Sequence, residues 1–368
     1  MRILQITLEH IQIPLLEPFR ISNGEIASKD AILVRLETDC GIGVGEASPM
    51  SGSFYSQETP QSTWDALKQL APAALAADSV DPCSFHTLLS SIEGEAFAKA
   101  GLEGAVWDAA ARQQGRPLNE LLGGERRPIP SGAAIGLYDT TDELLDRVER
   151  FWRAGYHRIK IKIAPGHDVD LVRAVRDQYP TVPLIVDANG AYTLNDLPLL
   201  RELDRFQLMM IEQPFCRDSI AEMAELQGQI ATPICADESA ESIGTLDEIV
   251  RTGAARIINI KVQRVGGLAP ARAMHDRASC AGLPCWLGTM PELGVASAQG
   301  LHLATLPGFT YPTDVEASSR WFEADVIEPE IQISHDGLIA LPEGAGIGYQ
   351  IDEEMVEKYR VRKEVLKI

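Results

Sequence analysis

Two hydrophobic periods divide this chain. Residues 1–15, MRILQITLEHIQIPL, and 30–48, DAILVRLETDCGIGVGEAS, alternate apolar and polar side chains, a period of two that predicts β-strands. Within the second run, GIGVGE at 41–46 lacks the glycine spacing of a dinucleotide fingerprint and reads as a strand-edge turn. Helical spacing follows in STWDALKQLAPAAL, DPCSFHTLLSSI and AFAKAGLEGAVWDAAARQQG. Strands and then helices predict a separate α+β domain over residues 1–125. After residue 322 the chain is again strand-like and turn-rich (EIQISHDGLIALPEGAGIGYQID), which predicts that about 323–368 returns to complete that domain.

Between these lies a repeat. In RIKIKIAPGHD, residues 158–168, Ile159, Ile161 and Ile163 alternate with Lys160 and Lys162, placing both lysines on one strand face. Apolar runs then end at Asp187 (PLIVDANG), Glu212 (LMMIEQPF), Asp237 (TPICADES), Lys261 (ARIINIKVQ), Leu287 (LPCWLGTM) and Asp314 (FTYPTDVE). The intervals from Lys162 are 25, 25, 25, 24, 26 and 27 residues, with helical stretches between. Counting PIPSGAAIG near residue 133 first, eight strands alternate with helices, which predicts a parallel (β/α) barrel over 126–322 in preference to a doubly wound open sheet.

Composition narrows the partners. The net charge of −20, from 33 basic and 53 acidic residues, argues against nucleic acid or an anionic membrane surface. No apolar run reaches transmembrane length, and the N-terminus alternates instead of presenting a signal-peptide core. Cysteines at 40, 83, 216, 235, 280 and 285 include no C-x-x-C pair and point to free thiols in a reducing cytoplasm.

Barrel enzymes carry their chemistry at the C-terminal strand ends, where Lys160, Lys162, Asp187, Glu212, Asp237 and Lys261 fall. Each has an ordinary reading as a turn cap, a solvated loop residue or a snorkelling lysine. Jointly, three carboxylates on consecutive strands converge on one side of the barrel mouth and demand a cation. An oxygen-only set without His or Cys suits Mg²⁺. Two stacked lysines become tolerable beside such a cluster, and useful. Desolvation, the metal and a neighbouring ammonium push a lysine from about 10.4 towards the 7–8 that a base needs. A divalent ion on a substrate carboxylate stabilises the enediolate formed when the α-proton leaves. Metal-assisted hydrolysis ranks lower, because none of the seven histidines (10, 86, 157, 167, 275, 302, 335) lies at these strand ends.

With KIKI, VDANGAY, IEQPF, ADES and NIKVQRVGG in order, the chain resembles the enolase superfamily, specifically its muconate-lactonizing subgroup. MSGSFYSQET, LATLPGFTYPTDVEASSRWFEADV and GAGIGYQID resemble o-succinylbenzoate synthases and N-succinylamino acid racemases, and the likeness spans nearly the whole chain. The resemblance implies a (β/α)7β TIM-like barrel under an α+β capping domain, Mg²⁺ with Mn²⁺ able to replace it, and homo-oligomers. It implies Asp187, Glu212 and Asp237 as metal ligands and Lys162 and Lys261 as acid/base groups on opposite substrate faces, with Lys160 tuning Lys162. Phe19, Arg20, Ser22, Phe54 and Tyr55 on the capping loops, with Asn189, Met290 and Glu292 on the barrel, are candidate contacts for a small-molecule carboxylate. Departures border this pocket: Val262-Gln263 where a Pro-Gly is expected, Ala134 where a Ser is usual, and no Asp-His combination after IEQPF. They bear on the substrate more than on the chemistry. A dipeptide epimerase or muconate-type cycloisomerase would use the same lysines; a non-catalytic barrel would have lost at least one of them.

Overall fold

The computed structural model describes residues 1–21, 24–52, 56–90 and 92–367. Strands β1 (Ile3–Ile21) and β2 (Gly24–Thr38) form a long antiparallel hairpin, and β3 (Gly41–Ala47) adds to β2. Helices α1 (Pro60–Ala76), α2 (Pro82–Leu89) and α3 (Ala96–Gln113) pack on one face, burying Ile6, Leu8, Val34 and Leu36 against Leu67, Leu70, Leu102 and Val106. Only Gly41 of the GIGVGE run sits at the turn, with φ 139°. Gly43 and Gly45 lie inside β3 instead, because α3 crosses there: a Cβ on Gly45 would stand 2.1 Å from the Gly101 carbonyl. Close helix–strand approach, not the turn, is what these two glycines serve.

After the short strand β4 (Ile129–Pro130), seven parallel strands follow at the expected spacing: β5 (Ala133–Ile135), β6 (Ile159–Lys162), β7 (Leu184–Asp187), β8 (Met210–Glu212), β9 (Ile234–Ala236), β10 (Ile257–Ile260) and β11 (Cys285–Leu287). They pair strictly in sequence order. Amphipathic helices cover the outside. In Thr141–Arg153, Leu144, Val148 and Phe151 form the buried stripe, and Thr140 with Glu143 closes a capping box at its start. The eighth position is filled by the segment 309–314, which bridges in parallel to Cys285 through Phe309 and to Ser131 through Thr313. It closes the barrel between the last and first strands with isolated bridges in place of a full ladder.

The chain then returns through β12 (Ile327–Glu328), β13 (Leu338–Ile339) and β14 (Gln350–Ile351) to β15 (Arg360–Lys367). β13 pairs with β4, and β15 pairs antiparallel with β1, giving a capping sheet ordered β15-β1-β2-β3. Both ends of the chain therefore meet in one sheet.

Candidate active site

The alternation in β6 places Ile159 and Ile161 in the shell under the helices, while the Lys160 ammonium lies inside the barrel, 5.0 Å from the Trp286 ring centre. Register carries the chemistry sideways across the sheet. Lys162 pairs with Asp187, Asp187 with Glu212, and Glu212 with Cys235; Asp237 lies two residues beyond Cys235. Counting β5 as position one of eight, Lys162 ends position two and Lys261 follows position six, half a turn around the barrel, with the three carboxylates on positions three to five between them.

All six groups are buried. Lys162 Nζ donates to Asp187 Oδ2 at 2.6 Å and to Asn189 Oδ1 at 2.8 Å. Lys261 Nζ donates to Asp237 Oδ2 at 2.8 Å, and Arg264 bonds the other Asp237 oxygen. Burial would raise the Asp237 pKa, but these two cations outweigh it and hold the group well below the carboxylate range. Lys160 Nζ lies 2.8 Å from Asp314 Oδ2, 3.4 Å from Glu212 Oε2 and 3.5 Å from Asp187 Oδ2. Desolvation would lower its pKa; Asp314, Glu212 and Asp187 together carry it above the ordinary lysine value. The Glu212 pKa is raised as well, by burial and then by Asp187.

A cavity at this mouth is lined by Lys160, Lys162 and Lys261 together with Asn189, Phe19 and Met290. Of the remaining candidates, Arg20 does not line it: its guanidinium pairs with Asp139 at 2.7 Å on the exposed rim. Glu292 lies in the adjoining recess beside Thr289 and Pro291, its pKa pushed up to about 8 by burial and by Glu46. Ser22, Phe54 and Tyr55 lie outside the described residues. The cavity also exposes residues that the motifs did not single out: Ile21, Met50, Asp314, Glu316 and Trp321. Asp314 carried a signal, since it ends the last apolar run of the repeat. Arg158 and Lys160 both bond it, so it anchors the lysine pair. Ala134 lines the cavity as well, its N–H donating to Glu316 Oε1 at 2.9 Å.

The donor set suits a hard divalent ion. Three buried carboxylates supply oxygen only. Asn259 holds Glu212 Oε1 at 3.0 Å while Glu212 Oε2 has no hydrogen-bond donor. Among the described residues, no three acidic, His or Cys side chains already stand as a closed cage, because Asp187 and Asp237 are each turned towards an ammonium. Those two ion pairs must loosen for the three carboxylates to meet one cation.

Residues 143–355 match the family described as enolase C-terminal domain-like, and residues 4–123 match the mandelate racemase/muconate lactonizing enzyme N-terminal domain. The chain is 44% identical over 356 residues to an o-succinylbenzoate synthase of Geobacillus stearothermophilus, covering 96% of this chain and 95% of that one. It is 40% identical over 365 residues to an N-succinylamino acid racemase of Amycolatopsis sp, covering 99% of each. A solved enolase superfamily member from Listeria innocua shares the fold with a TM-score of 0.95 at 36% identity, covering 100% of this chain and 99% of that one.

Proposed function

This chain belongs to the mandelate racemase/muconate lactonizing family of the enolase superfamily, and from that premise we propose that it is an o-succinylbenzoate synthase that also racemises N-succinylamino acids. The observation that carries this reading is the placement of Lys162 and Lys261 on opposite walls of one cavity, with Asp187, Glu212 and Asp237 on the strands between them. Asp187, Glu212 and Asp237 would hold Mg²⁺, or Mn²⁺ in its place, and the ion would supply positive charge against the charge that develops on the substrate carboxylate.

The lysines divide the proton work. In dehydration, Lys162 takes the α-proton and returns a proton to the departing hydroxyl; the C–H electrons become the new C=C bond as the C–O bond breaks and water leaves. Lys261, on the other face, remains charged and offsets the negative charge on the substrate. In racemisation, one lysine removes the α-proton and the other delivers a proton to the opposite face. Asn189, bonded to Lys162 through Oδ1 and to Glu238 through Nδ2, fixes where the Lys162 ammonium points. The reading extends to a cytoplasmic homo-oligomer with a catalytic barrel over 126–322 and a capping unit of 1–125 and 323–368. The free state of all six cysteines and the β15–β1 pairing support it.

Proton NMR in D₂O with Mg²⁺ tests the proposal, using N-succinyl amino acids, dipeptides and the cyclohexadienyl precursor of o-succinylbenzoate. Dehydration of the precursor and α-deuterium uptake by succinylated amino acids are expected. Lys162→Ala and Lys261→Ala should each lower dehydration or net racemisation by at least about 10³-fold. The single lysine left in each variant should still exchange the α-proton of one enantiomer. Exchange confined to dipeptides would move the chain to the epimerases, and no exchange at all would sink the proposal.

A further inference from the structure

Gln263 stands two residues past Lys261, in the short helix Val262–Val265, and is buried. Its amide reaches out of the barrel to the capping unit. Nε2 donates to the Glu46 carbonyl at 2.9 Å, and Oε1 accepts the Ser48 N–H at 2.9 Å. One side chain thus stands in for a strand partner at the end of β3, across 215 residues of sequence.

The segment that Gln263 grips is held from two further sides. The Glu46 carboxylate accepts the Leu293 N–H at 2.9 Å and the Ala296 N–H at 2.8 Å. Lys29 Nζ donates to the carbonyls of Ser48 at 3.0 Å and Pro49 at 2.9 Å, and Ser51 Oγ donates to Asp30 Oδ2 at 2.5 Å. Between these anchors lies Met50, buried and lining the cavity that holds both acid/base lysines. The other anchors tie Met50 to the capping sheet and to the region after β11. Gln263 ties it to the turn that carries Lys261.

We propose that Gln263 is a positioning residue that sets selectivity for the apolar substituent of the substrate, by locking the Met50 wall to the Lys261 turn. The proposal rests on the proton-abstraction reading above. An apolar wall discriminates by size only while it stays in place. A misfit of one methylene in a fixed pocket is worth about 10- to 200-fold, and a wall that yields loses that discrimination. Two buried hydrogen bonds to main-chain groups hold the wall against such yielding.

The test is Gln263→Met, which keeps length and packing but removes both bonds. Amide hydrogen exchange at Ser48 is expected to quicken by at least about tenfold, with core amides of β2 unchanged. The kcat/KM ratio between N-succinylalanine and N-succinylphenylalanine is expected to move about tenfold towards unity, mainly through KM, while kcat for the better substrate stays within about threefold. A ratio that holds while Ser48 exchanges faster overturns the proposal, as does unchanged Ser48 exchange. The double variant Gln263→Met/Met50→Ala should match Met50→Ala alone in this ratio, and additive effects also overturn it. If Gln263→Met fails to fold, Gln263→Glu keeps the acceptor for the Ser48 N–H and removes the donor to the Glu46 carbonyl, so it is read by the kcat/KM ratio alone, and a ratio that holds overturns the proposal. Should neither succinylated substrate react with the unaltered protein, the functional reading has failed. The latch is then judged by Ser48 exchange and by size selectivity on whichever dipeptide exchanges its α-proton.

Discussion

Lys160 shows how one residue can serve two ends. Its ammonium is fixed by Asp314 and stands near Glu212 and Asp187, so it remains charged inside the barrel. On the proposed reading this fixed cation also helps to place Lys162 for proton transfer. Lys160→Met removes it and leaves Asp314 bonded by Arg158 alone. The Lys162-dependent exchange is then expected to slow by at least about tenfold. The Lys261-dependent exchange, half a barrel away beside Asp237, should change less. Equal loss of both would count against a local role. The lysine pair was legible in the sequence because strand alternation is local. Its anchor Asp314 was legible only as a strand end, since the contact spans 154 residues and no local period encodes it.

Elements were read best where their own periodicity decides them. The β6–β10 strand ends fall where the apolar runs end, because each parallel strand is buried on both faces and stops when the chain meets the charged mouth. The run closing at Asp314 predicts an eighth strand, but its partners on either side leave it only isolated bridges. From its sequence alone GIGVGE predicts a strand-edge turn, because glycine is ambiguous between turn and close approach. The α3 backbone resolves it, and α3 lies more than fifty residues further on. Gly45→Ala is expected to destabilise the protein by about 3 kcal/mol, since the new Cβ meets the Gly101 carbonyl and the Ala105 N–H, both main-chain atoms that cannot rotate away. Gly244→Ala, with only the Ser242 hydroxyl 3.7 Å from the new Cβ, should be neutral or stabilising by up to about 1 kcal/mol. Urea unfolding midpoints of the two variants would separate packing at the α3 crossing from any general intolerance of alanine.

At the scale of the molecule, acidity is concentrated inside as well as outside. Glu103 bonds the N–H groups of Leu268 and Ala269, and burial still carries its pKa up to about 8. Glu292 is pushed to about 8 and Glu316 to about 7, burial again the leading cause, and Glu212 is raised as well. Each carboxylate therefore binds its proton more tightly folded than unfolded, where the ordinary value is about 4.3. Their contribution is present in full below that value and is lost as pH rises towards about 8. Lys29, pushed down to about 8 by burial, reverses the slope only above that point, where the unfolded chain binds the extra proton. The metal-free protein is accordingly expected to lose thermal stability between pH 5 and 8. On the proposed reading, Mg²⁺ would act on one member of this set. A divalent ion beside Glu212 would replace the proton that burial and Asp187 favour, so its binding would compete with protonation and strengthen as pH rises. Thermal melts in EDTA and in saturating Mg²⁺ should therefore show a larger gain at pH 8 than at pH 6. A gain independent of pH would mean that the ion binds away from these carboxylates, and Glu212→Gln, which cannot ionise, should abolish the difference between the two pH values.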